Sequence, residues 1–330
     1  MTEKTFFIKL EKELGIGRIK RQEKLSLHTN WRIGGECWFW FEAKSQEEVV
    51  KAVVVSRKLK LPFFVLGGGT NVLVGDKTFP GLVIKNNASQ IKILGVGGKI
   101  VRGERQDSRV LVQADSGVIF NRLVRFTLDE GLSNFEPFLG QPGTVGGAIY
   151  INVHFMKEKK FVGDFVFSVK ILNKENEIKD VDQEYLQFGY DQSKIQKTGD
   201  IVLSATFCFT RLTKEQVWER ANEAISYRQQ TQPAGYPTAG CTFRNISYAQ
   251  ALAVPTPNYT TSAGYLIDQC GLKGKTVGGA QISEKHANFI LNKGGAAAAD
   301  VLELINLCKE KVKERFNIEL HEEIVFQGVF

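Results

Sequence analysis

Two glycine-rich segments, far apart in the chain, constrain its fold more than any other feature. The first is Gly67-Gly68-Gly69-Thr70-Asn71, directly after the apolar run Phe63–Leu66, and the second spans residues 140–148. Glycine has no Cβ, so successive backbone amides can turn inward and form a concave nest for an anion. One such cluster is most often only a tight turn. Two of them, with Thr70 and Asn71 beside the glycines, predict a ligand with more than one phosphate, such as a dinucleotide.

Length and composition predict a globular protein with about two domains. The chain has 330 residues, of which 43% are hydrophobic and 24% charged, and a chain this long usually forms more than one core. No apolar stretch approaches the ~20 residues that span a bilayer. Residues 1–21 lack the apolar centre of a signal peptide. We therefore expect a cytoplasmic protein that does not bind membranes.

Charge and cysteine content exclude two other classes of ligand. The net charge of +7 comes from lysines and arginines interleaved with acids, which predicts no nucleic-acid partner but suits a small polyphosphate. Five cysteines and four histidines are present, without a Cys-x-x-Cys pair or any ligand spacing for a metal. We expect reduced thiols and no metal site.

The N-terminal third predicts a β–α–β unit that carries the first glycine segment. A strand is predicted at residues 37–41, and a capping box that begins at Ser45 opens a helix that continues to Leu59. Pro62 ends that helix before the strand Phe63–Leu66, and another short strand follows at residues 82–84. The glycine segment thus lies at the carboxyl end of a strand, where open α/β sheets bind ligands.

The rest of the chain alternates between strands and helices. A helix is predicted at 118–130, with Gly131 as its stop, and another at 297–316, with Val301 and Ile305 on its apolar side. A domain boundary is predicted near residues 211–214, where a helical segment begins. The other predicted strands are 91–114 in part, 167–172, 201–210 and 324–326.

Several of these segments resemble the motifs of a known family. Residues 30–35, 65–74 and 142–148 look like the flavin-binding motifs of UDP-N-acetylenolpyruvoylglucosamine reductases. The C-terminal part is similar to the same family at residues 228–233, 239–245, 263–274 and 278–289. The motifs run in order through nearly the whole chain, so the resemblance is specific.

The resemblance implies a fold and a reaction. The implied fold is α+β. Residues 1–211 form a vanillyl-alcohol-oxidase-type FAD-binding domain, which consists of two α/β subdomains split near residue 86. Residues 212–330 form a smaller α+β substrate-binding domain, and its last strand is expected to return toward the active site. NADPH reduces a non-covalent FAD, which delivers hydride to UDP-N-acetylglucosamine enolpyruvate and yields UDP-N-acetylmuramate for peptidoglycan. We expect a monomer. The implied FAD-binding residues are Arg32, Gly67, Gly68, Gly69, Thr70, Asn71, Gly143, Thr144, Gly146 and Gly147.

Two catalytic residues follow from the resemblance. Cys241 occupies the position of the family's proton donor, and a thiol is mostly protonated at neutral pH yet releases its proton more readily than an alcohol. Glu323 matches the glutamate that stabilises or protonates the enolic intermediate, although Glu322 is an alternative. Strand alternation favours Glu323, because it would send Val325 inward as well. The other four cysteines are expected to be structural.

The chain departs from the family at Asp191, where the family has an arginine that neutralises the substrate carboxylate. A carboxylate cannot take that role. Another cation could replace it, with Arg228, Arg244 and Lys285 as candidates; the loop could turn Asp191 away; or the activity could have changed. We favour the replacement cation. His154 is a second departure; it could face the pocket, but we expect it to be an exposed loop histidine. Tyr190 and Asn245 match substrate-contacting residues of the family.

Two other functions stay open on sequence alone. One is a different FAD-dependent oxidase or dehydrogenase on the same scaffold, which would keep the glycine segments but lack the motifs at residues 239–245 and 278–289. The other is a nucleotide-sugar-binding protein with impaired catalysis, suggested by Asp191. Both C-terminal motifs are present in the chain, which favours the reductase.

Overall fold

The computed structural model describes the backbone of residues 1–101 and 104–330 and the side chains of residues 1–95 and 109–330. Arg102 and Gly103, inside the strand-rich segment predicted at 91–114, lie outside the described residues. The helices are α1 (Glu3–Leu14), α2 (Gln46–Leu59), α3 (Phe120–Asp129), α4 (Val145–Ile151), α5 (Gln183–Leu186), α6 (Ile195–Thr198), α7 (Lys214–Thr231), α8 (Tyr248–Leu252), α9 (Ala263–Gln269) and α10 (Ala298–Phe316).

The strands are interspersed with these helices along the chain. They are β1 (Ile19–Lys24), β2 (Glu36–Ala43), β3 (Phe63–Leu66), β4 (Val72–Val74), β5 (Phe79–Asn86), β6 (Ile91–Val101), β7 (Glu104–Asp115), β8 (Leu132–Ser133), β9 (His154–Phe155), β10 (Lys160–Phe161), β11 (Val166–Leu172), β12 (Ile178–Val181), β13 (Ile201–Arg211), β14 (Thr276–Val277), β15 (Ala280–Ile282), β16 (Ile290–Asn292) and β17 (Val325–Gln327). A strand lies at each predicted position, and within the described backbone nine further strands were not predicted: β1, β4, β8, β9, β10, β12, β14, β15 and β16.

The chain divides into two compact units, each built from separate segments. The first unit comprises Met1–Arg21, Phe39–Gly68 and Gly81–Tyr227, and the second comprises Gln22–Trp38, Gly69–Pro80 and Arg228–Phe330. The predicted division was a single boundary near residue 211. The structural division differs because β17 pairs with β4 in parallel, Val325 opposite Val72, which joins the C-terminal strand to residues 69–80.

The first unit contains two sheets. One sheet has the strand order β1-β2-β5-β3, and most of its residues belong to this unit. Its strands β3 and β5 are parallel, with Leu66 opposite Lys85. The predicted capping box of α2 is confirmed in its Ser45 half, since the Ser45 side chain accepts from the Glu48 amide, whereas the Glu48 carboxylate accepts from the Lys44 amide. The other sheet has the order β12-β11-β13-β7-β6, with β8 paired to β13.

Phenylalanine side chains form the centre of the first unit's core. Phe135 is fully buried, and its ring meets that of Phe209 edge to face with centroids 4.8 Å apart. Aromatic pairs favour this geometry because the ring edge is positive and the face negative. The apolar side predicted for α3 is confirmed by the burial of Phe120, Leu123, Val124 and Leu128. Gly131 follows that helix with φ +65°, as its predicted stop.

The second unit packs around α10. The buried side chains of this helix are Ala298, Val301, Leu304, Ile305, Cys308 and Val312, which confirms its predicted apolar side. Trp31 is fully buried in the same core, and its indole N–H donates to the Ile290 carbonyl at 2.8 Å. Strands β14, β15 and β16 form a small antiparallel sheet in this unit. Within the described part of the chain, no helix is long and apolar enough to cross a membrane.

Candidate active site

The first glycine segment follows β3 at its carboxyl end, as predicted. The backbone amides of Gly68, Gly69 and Thr70 donate to no acceptor within the described residues. Gly69 has φ +64°, which only glycine adopts without strain. Unsatisfied consecutive amides are what an anion-binding nest needs.

Lys85 supports this segment from the neighbouring strand, and sequence analysis did not single it out. Its ammonium donates to the Gly67 carbonyl oxygen. Burial lowers the pKa of Lys85 below its ordinary value, while the Glu42 carboxylate opposes that shift. A sequence signal could have identified Lys85. It is a lysine on the strand that pairs with β3, opposite the last residue before the glycine segment.

The second glycine segment differs from the predicted open nest because a helix begins inside it. Thr144 is the N-cap residue of α4, and Gly143 precedes it with φ +109°. The Val145 and Gly146 amides already donate to Val118 and Ser116 carbonyl oxygens, at 2.9 and 2.8 Å. Gly146 therefore provides close packing rather than a free amide: a Cβ there would lie 3.0 Å from Ser116 Cβ. Gly147 is exposed.

The two glycine segments meet in the first unit. A Cβ on Gly67 would overlap Thr144 Oγ1, so the backbone of one segment lies against the side chain of the other. The Thr144 hydroxyl caps no amide of its own helix, and Thr144 is otherwise buried. Gly67 and Thr144 thus adjoin, and the Thr144 hydroxyl can hydrogen-bond a phosphate.

Two further predicted cofactor-binding residues belong to the second unit. Arg32 is exposed, with φ +57°. Asn71 uses its side chain within the protein: Nδ2 donates to the Glu323 carbonyl oxygen at 3.1 Å. The Asn71 carbonyl oxygen accepts from the Val325 amide at 2.9 Å. The side chain of Asn71 thus holds the C-terminal segment, which leaves its backbone amide for a ligand.

Cys241 lies on a segment that is fixed on both sides. It forms an antiparallel bridge with Phe289, and Phe243 forms one with Glu322. The Thr242 amide donates to the Asn288 carbonyl oxygen at 2.7 Å, and the Glu323 amide donates to the Thr242 carbonyl oxygen at 2.9 Å. The segments of the two predicted catalytic residues are therefore adjacent in the second unit. Cys241 itself is half-buried.

The neighbouring glutamates have different environments. The Glu322 carboxylate pairs with Lys309 of α10 at 3.0 Å, which gives it a structural role. Glu323 is half-buried. The alternation argument was wrong in one detail: Ile324 is the buried residue of this segment, whereas Val325 is only partly covered, because the core of this unit lies on the Ile324 side.

The predicted substrate-binding cations are not equivalent. Lys285 is exposed, and its ammonium donates to the Gln229 carbonyl oxygen at 2.8 Å. Arg244 is half-buried, and its buried Nε has no hydrogen-bond partner within the described residues. Arg228 is half-buried as well. The Asn245 side chain accepts from the Ala263 amide at 3.1 Å, at the start of α9.

The structure brings together the two departures noted in the sequence. His154 Nδ1 lies 3.0 Å from Asp191 Oδ1, and Asp191 is only 1% exposed. Its carboxylate is thus turned into the protein, which agrees with the alternative in which the loop turns Asp191 away. The expectation of an exposed loop histidine was wrong: His154 begins β9, with 16% of its side chain exposed. The Tyr190 ring lies against the imidazole, with centroids 4.8 Å apart.

Two of the remaining cysteines are unsuited to acid catalysis. Burial raises the pKa of the Cys308 thiol to about 12, and burial also raises the pKa of Cys270. Burial makes both thiols weaker proton donors than an unperturbed cysteine. No disulfide forms among the described cysteines. Within the same residues, no group of three His, Cys, Asp or Glu side chains could hold a metal ion.

Comparisons with protein families match both parts of the chain. A family model described as FAD binding domain matches residues 39–182. A model described as UDP-N-acetylenolpyruvoylglucosamine reductase, C-terminal domain, matches residues 232–327. The division between the two matched regions lies in the stretch that contains β13 and α7.

Curated relatives match over nearly the full length. The UDP-N-acetylenolpyruvoylglucosamine reductase of Clostridium botulinum (strain Alaska E43 / Type E3) is 33% identical over 94% of this chain and 93% of that protein. The protein of that name from Clostridium tetani (strain Massachusetts / E88) is 32% identical over 98% of this chain and 97% of its own length.

Solved structures give the same fold. The UDP-N-acetylenolpyruvylglucosamine reductase from Thermus caldophilus superposes with a TM-score of 0.73 at 30% identity, covering 94% of this chain and 98% of that chain. A vanillyl-alcohol-oxidase-type flavoprotein from Myceliophthora thermophila C1 superposes with a TM-score of 0.56 at 10% identity, covering 95% and 85%. The second likeness concerns the fold alone, and it agrees with the predicted α+β class.

Proposed function

The chain belongs to the UDP-N-acetylenolpyruvoylglucosamine reductase family, and from this premise we propose that it reduces UDP-N-acetylglucosamine enolpyruvate to UDP-N-acetylmuramate with FAD and NADPH. The observation that carries the proposal is the meeting of Gly67 with Thr144, because it joins the two glycine segments into one cradle. The product is a precursor of peptidoglycan.

The cradle suits a dinucleotide cofactor. It offers the unused Gly68 amide together with the Thr144 hydroxyl, and such donors complement a diphosphate. When bound, FAD supplies the hydride chemistry of the reaction. The residues proposed to hold it are Arg32, Gly67, Gly68, Gly69, Thr70, Asn71, Gly143, Thr144, Gly146 and Gly147. Gly67 and Gly146 act through the absence of a side chain, which lets the backbone approach closely.

Cys241 is proposed to donate the proton that completes the reduction. After hydride addition the substrate carries negative charge next to its carboxylate, and a thiol S–H directed at that carbon can protonate it. The backbone bonds around Thr242 hold the Cys241 segment in place. The raised pKa values of Cys270 and Cys308 support assigning this role to Cys241 instead of either of them.

Glu323 is proposed to stabilise or protonate the enolic intermediate. Glu322 is the less suitable candidate because its carboxylate is committed to Lys309. Glu323 is held by its backbone, through Thr242 on one side and Asn71 on the other. Its side chain is therefore positioned by rigid neighbours, as a group that acts in a transition state requires.

Arg244 is proposed to bind the diphosphate of the nucleotide sugar. A guanidinium nitrogen that is buried without a partner is costly unless a ligand satisfies it. Guanidinium groups match the oxygens of phosphates through paired N–H donors. The buried Thr242 hydroxyl likewise lacks a partner within the described residues. Further substrate contacts are proposed for Tyr190, Arg228, Asn245 and Lys285.

Steady-state NADPH oxidation tests the proposal. The purified protein should be yellow, should release FAD on denaturation, and should oxidise NADPH only when UDP-N-acetylglucosamine enolpyruvate is present. Oxidation that needs only oxygen would support an oxidase on this scaffold. Substrate binding without oxidation would support a catalytically impaired homologue. Localisation in the cytoplasm and a monomeric state remain predictions, the latter testable by sedimentation.

A further inference from the structure

A buried aspartate and a mostly buried histidine form a pair in the first unit. Asp191 is 1% exposed, and neither of its carboxylate oxygens accepts a hydrogen bond from the described residues. The His154 ring lies directly against it, with Nδ1 at 3.0 Å from Oδ1. A buried carboxylate is costly unless a partner compensates it, and His154 is the titratable partner that the described residues place there.

The second ring nitrogen of His154 is available to a ligand. Nδ1 is buried against Asp191, whereas Nε2 forms no hydrogen bond within the described residues. The rings of Tyr190 and Phe161 flank the imidazole, at centroid distances of 4.8 and 5.9 Å. The carboxylate and the aromatic neighbours therefore fix the ring with Nε2 directed away from Asp191.

The backbone around the pair is also fixed. Asn152 ends α4 with φ +51°, and its side chain donates to the Gly189 carbonyl oxygen at 2.9 Å and accepts from the Gly163 amide at 2.8 Å. One side chain thus ties the segment before His154 to the loop that carries Asp191.

We propose that His154, whose Nδ1 faces the Asp191 carboxylate, binds the carboxylate of the enolpyruvyl substrate through Nε2. The inference rests on the proposed function, which supplies a substrate with one carboxylate and one diphosphate. Asp191 is then a positioning residue that fixes the imidazole ring.

Calorimetric titration of the oxidised, FAD-containing protein tests this assignment. Two ligands are compared: UDP-N-acetylglucosamine enolpyruvate and UDP-N-acetylglucosamine, which lacks the carboxylate. His154→Gln keeps a polar side chain but removes the imidazole ring. It should weaken binding of the enolpyruvyl ligand about tenfold or more while changing affinity for the other ligand less than about twofold. Equal losses for both ligands, or no loss for either, would overturn the assignment.

Asp191→Asn provides a second, independent variant. It should also weaken only the enolpyruvyl ligand. If the two residues act as a unit, the double variant should bind no more weakly than His154→Gln alone; additive losses would contradict the pairing. His28→Gln is the matched control, because His28 pairs with Glu23 at 2.8 Å elsewhere in the chain, and it should leave both affinities unchanged.

Failure of the proposed function would look different. The proposed reductase function would be contradicted by two results together. Wild-type protein would bind UDP-N-acetylglucosamine enolpyruvate no better than UDP-N-acetylglucosamine, and it would not oxidise NADPH in the presence of the enolpyruvyl ligand. Wild-type protein that turned over normally while His154→Gln kept full selectivity would contradict only the role of His154.

Discussion

The side-chain amide of Asn71 donates a hydrogen bond of 3.1 Å to the carbonyl oxygen of Glu323. The Val325 amide in turn donates to the Asn71 carbonyl oxygen at 2.9 Å. The two hydrogen bonds lie on either side of Ile324. The end of the first glycine segment therefore fixes the backbone that carries the proposed catalytic glutamate. The parallel pairing of β4 with β17 continues the same connection.

Substitution of the two adjacent glutamates should separate catalysis from stability. Glu323→Gln should lower the rate of substrate-dependent NADPH oxidation by about a hundredfold or more, because a general acid or charge-stabilising group is lost. Glu322→Gln is the matched control. It loses only the Lys309 ion pair, so it should keep the rate and cost at most about 1 kcal/mol of unfolding free energy. The reverse pattern would assign the catalytic role to Glu322.

Replacement of Cys241 should affect only one half-reaction. Cys241→Ala should leave reduction of the flavin by NADPH intact and slow its reoxidation by substrate by about a hundredfold or more, since the proton donor is missing. Rapid-mixing absorbance measurements follow both halves separately. Cys208→Ala, at another half-buried cysteine, should change neither. Equal losses in both halves would argue against a donor role for Cys241.

A methyl group at Gly67 should weaken flavin binding. The Cβ of Gly67→Ala would overlap Thr144 Oγ1, so one glycine segment would have to move away from the other. Strain of this kind costs about 1–3 kcal/mol, which corresponds to about a 5- to 140-fold loss of FAD affinity. Flavin fluorescence during titration measures it. Gly95→Ala has open space around its Cβ and should bind FAD normally.

Lys85 should make stability depend on pH in the alkaline range. Its pKa in the folded chain lies below the ordinary 10.5 because burial disfavours the charge. Between the lowered value and 10.5 the unfolded chain binds more protons, so the unfolding free energy rises with pH. The wild-type protein should therefore gain stability relative to Lys85→Met as the pH rises from neutral toward 10.

Urea unfolding at several pH values measures this difference. The exposed Lys51 gives the control variant Lys51→Met, whose difference from wild type should stay constant over the same range. A Lys85→Met difference that was equally independent of pH would contradict the shift.

Asp76 should stabilise the second unit by capping α10 from a distant segment. Its two carboxylate oxygens accept from the Ala298 and Ala299 amides at 2.9 and 3.2 Å. Asp76→Ala should lower the unfolding free energy by about 0.5–2 kcal/mol, as the loss of an N-cap does. Asp129→Ala removes only an exposed ion pair with Lys214 and should cost less than about 0.5 kcal/mol.

Local sequence patterns were sufficient for most secondary structure. The capping of α2 by Ser45, the apolar side of α10 and the Gly131 stop all depend on residues a few positions apart, and each is confirmed. α1 was not predicted, although Phe6, Leu10 and Leu14 have the spacing of one buried helix face.

Long-range contacts could not be predicted in the same way. α4 begins in a glycine-rich stretch with poor intrinsic helix propensity, and backbone bonds from Val145 and Gly146 to residues 116–118 define its start. The pairing of His154 with Asp191 and the capping by Asp76 join residues far apart in sequence. No local pattern specifies such partners.

The most direct test of the central claim is the stoichiometry of the reaction under anaerobic conditions. The protein is incubated with NADPH and UDP-N-acetylglucosamine enolpyruvate, and the nucleotide sugars are identified by mass spectrometry. The account predicts one UDP-N-acetylmuramate formed for each NADPH consumed. Consumption of NADPH without that product, or no consumption until oxygen is admitted, would contradict it.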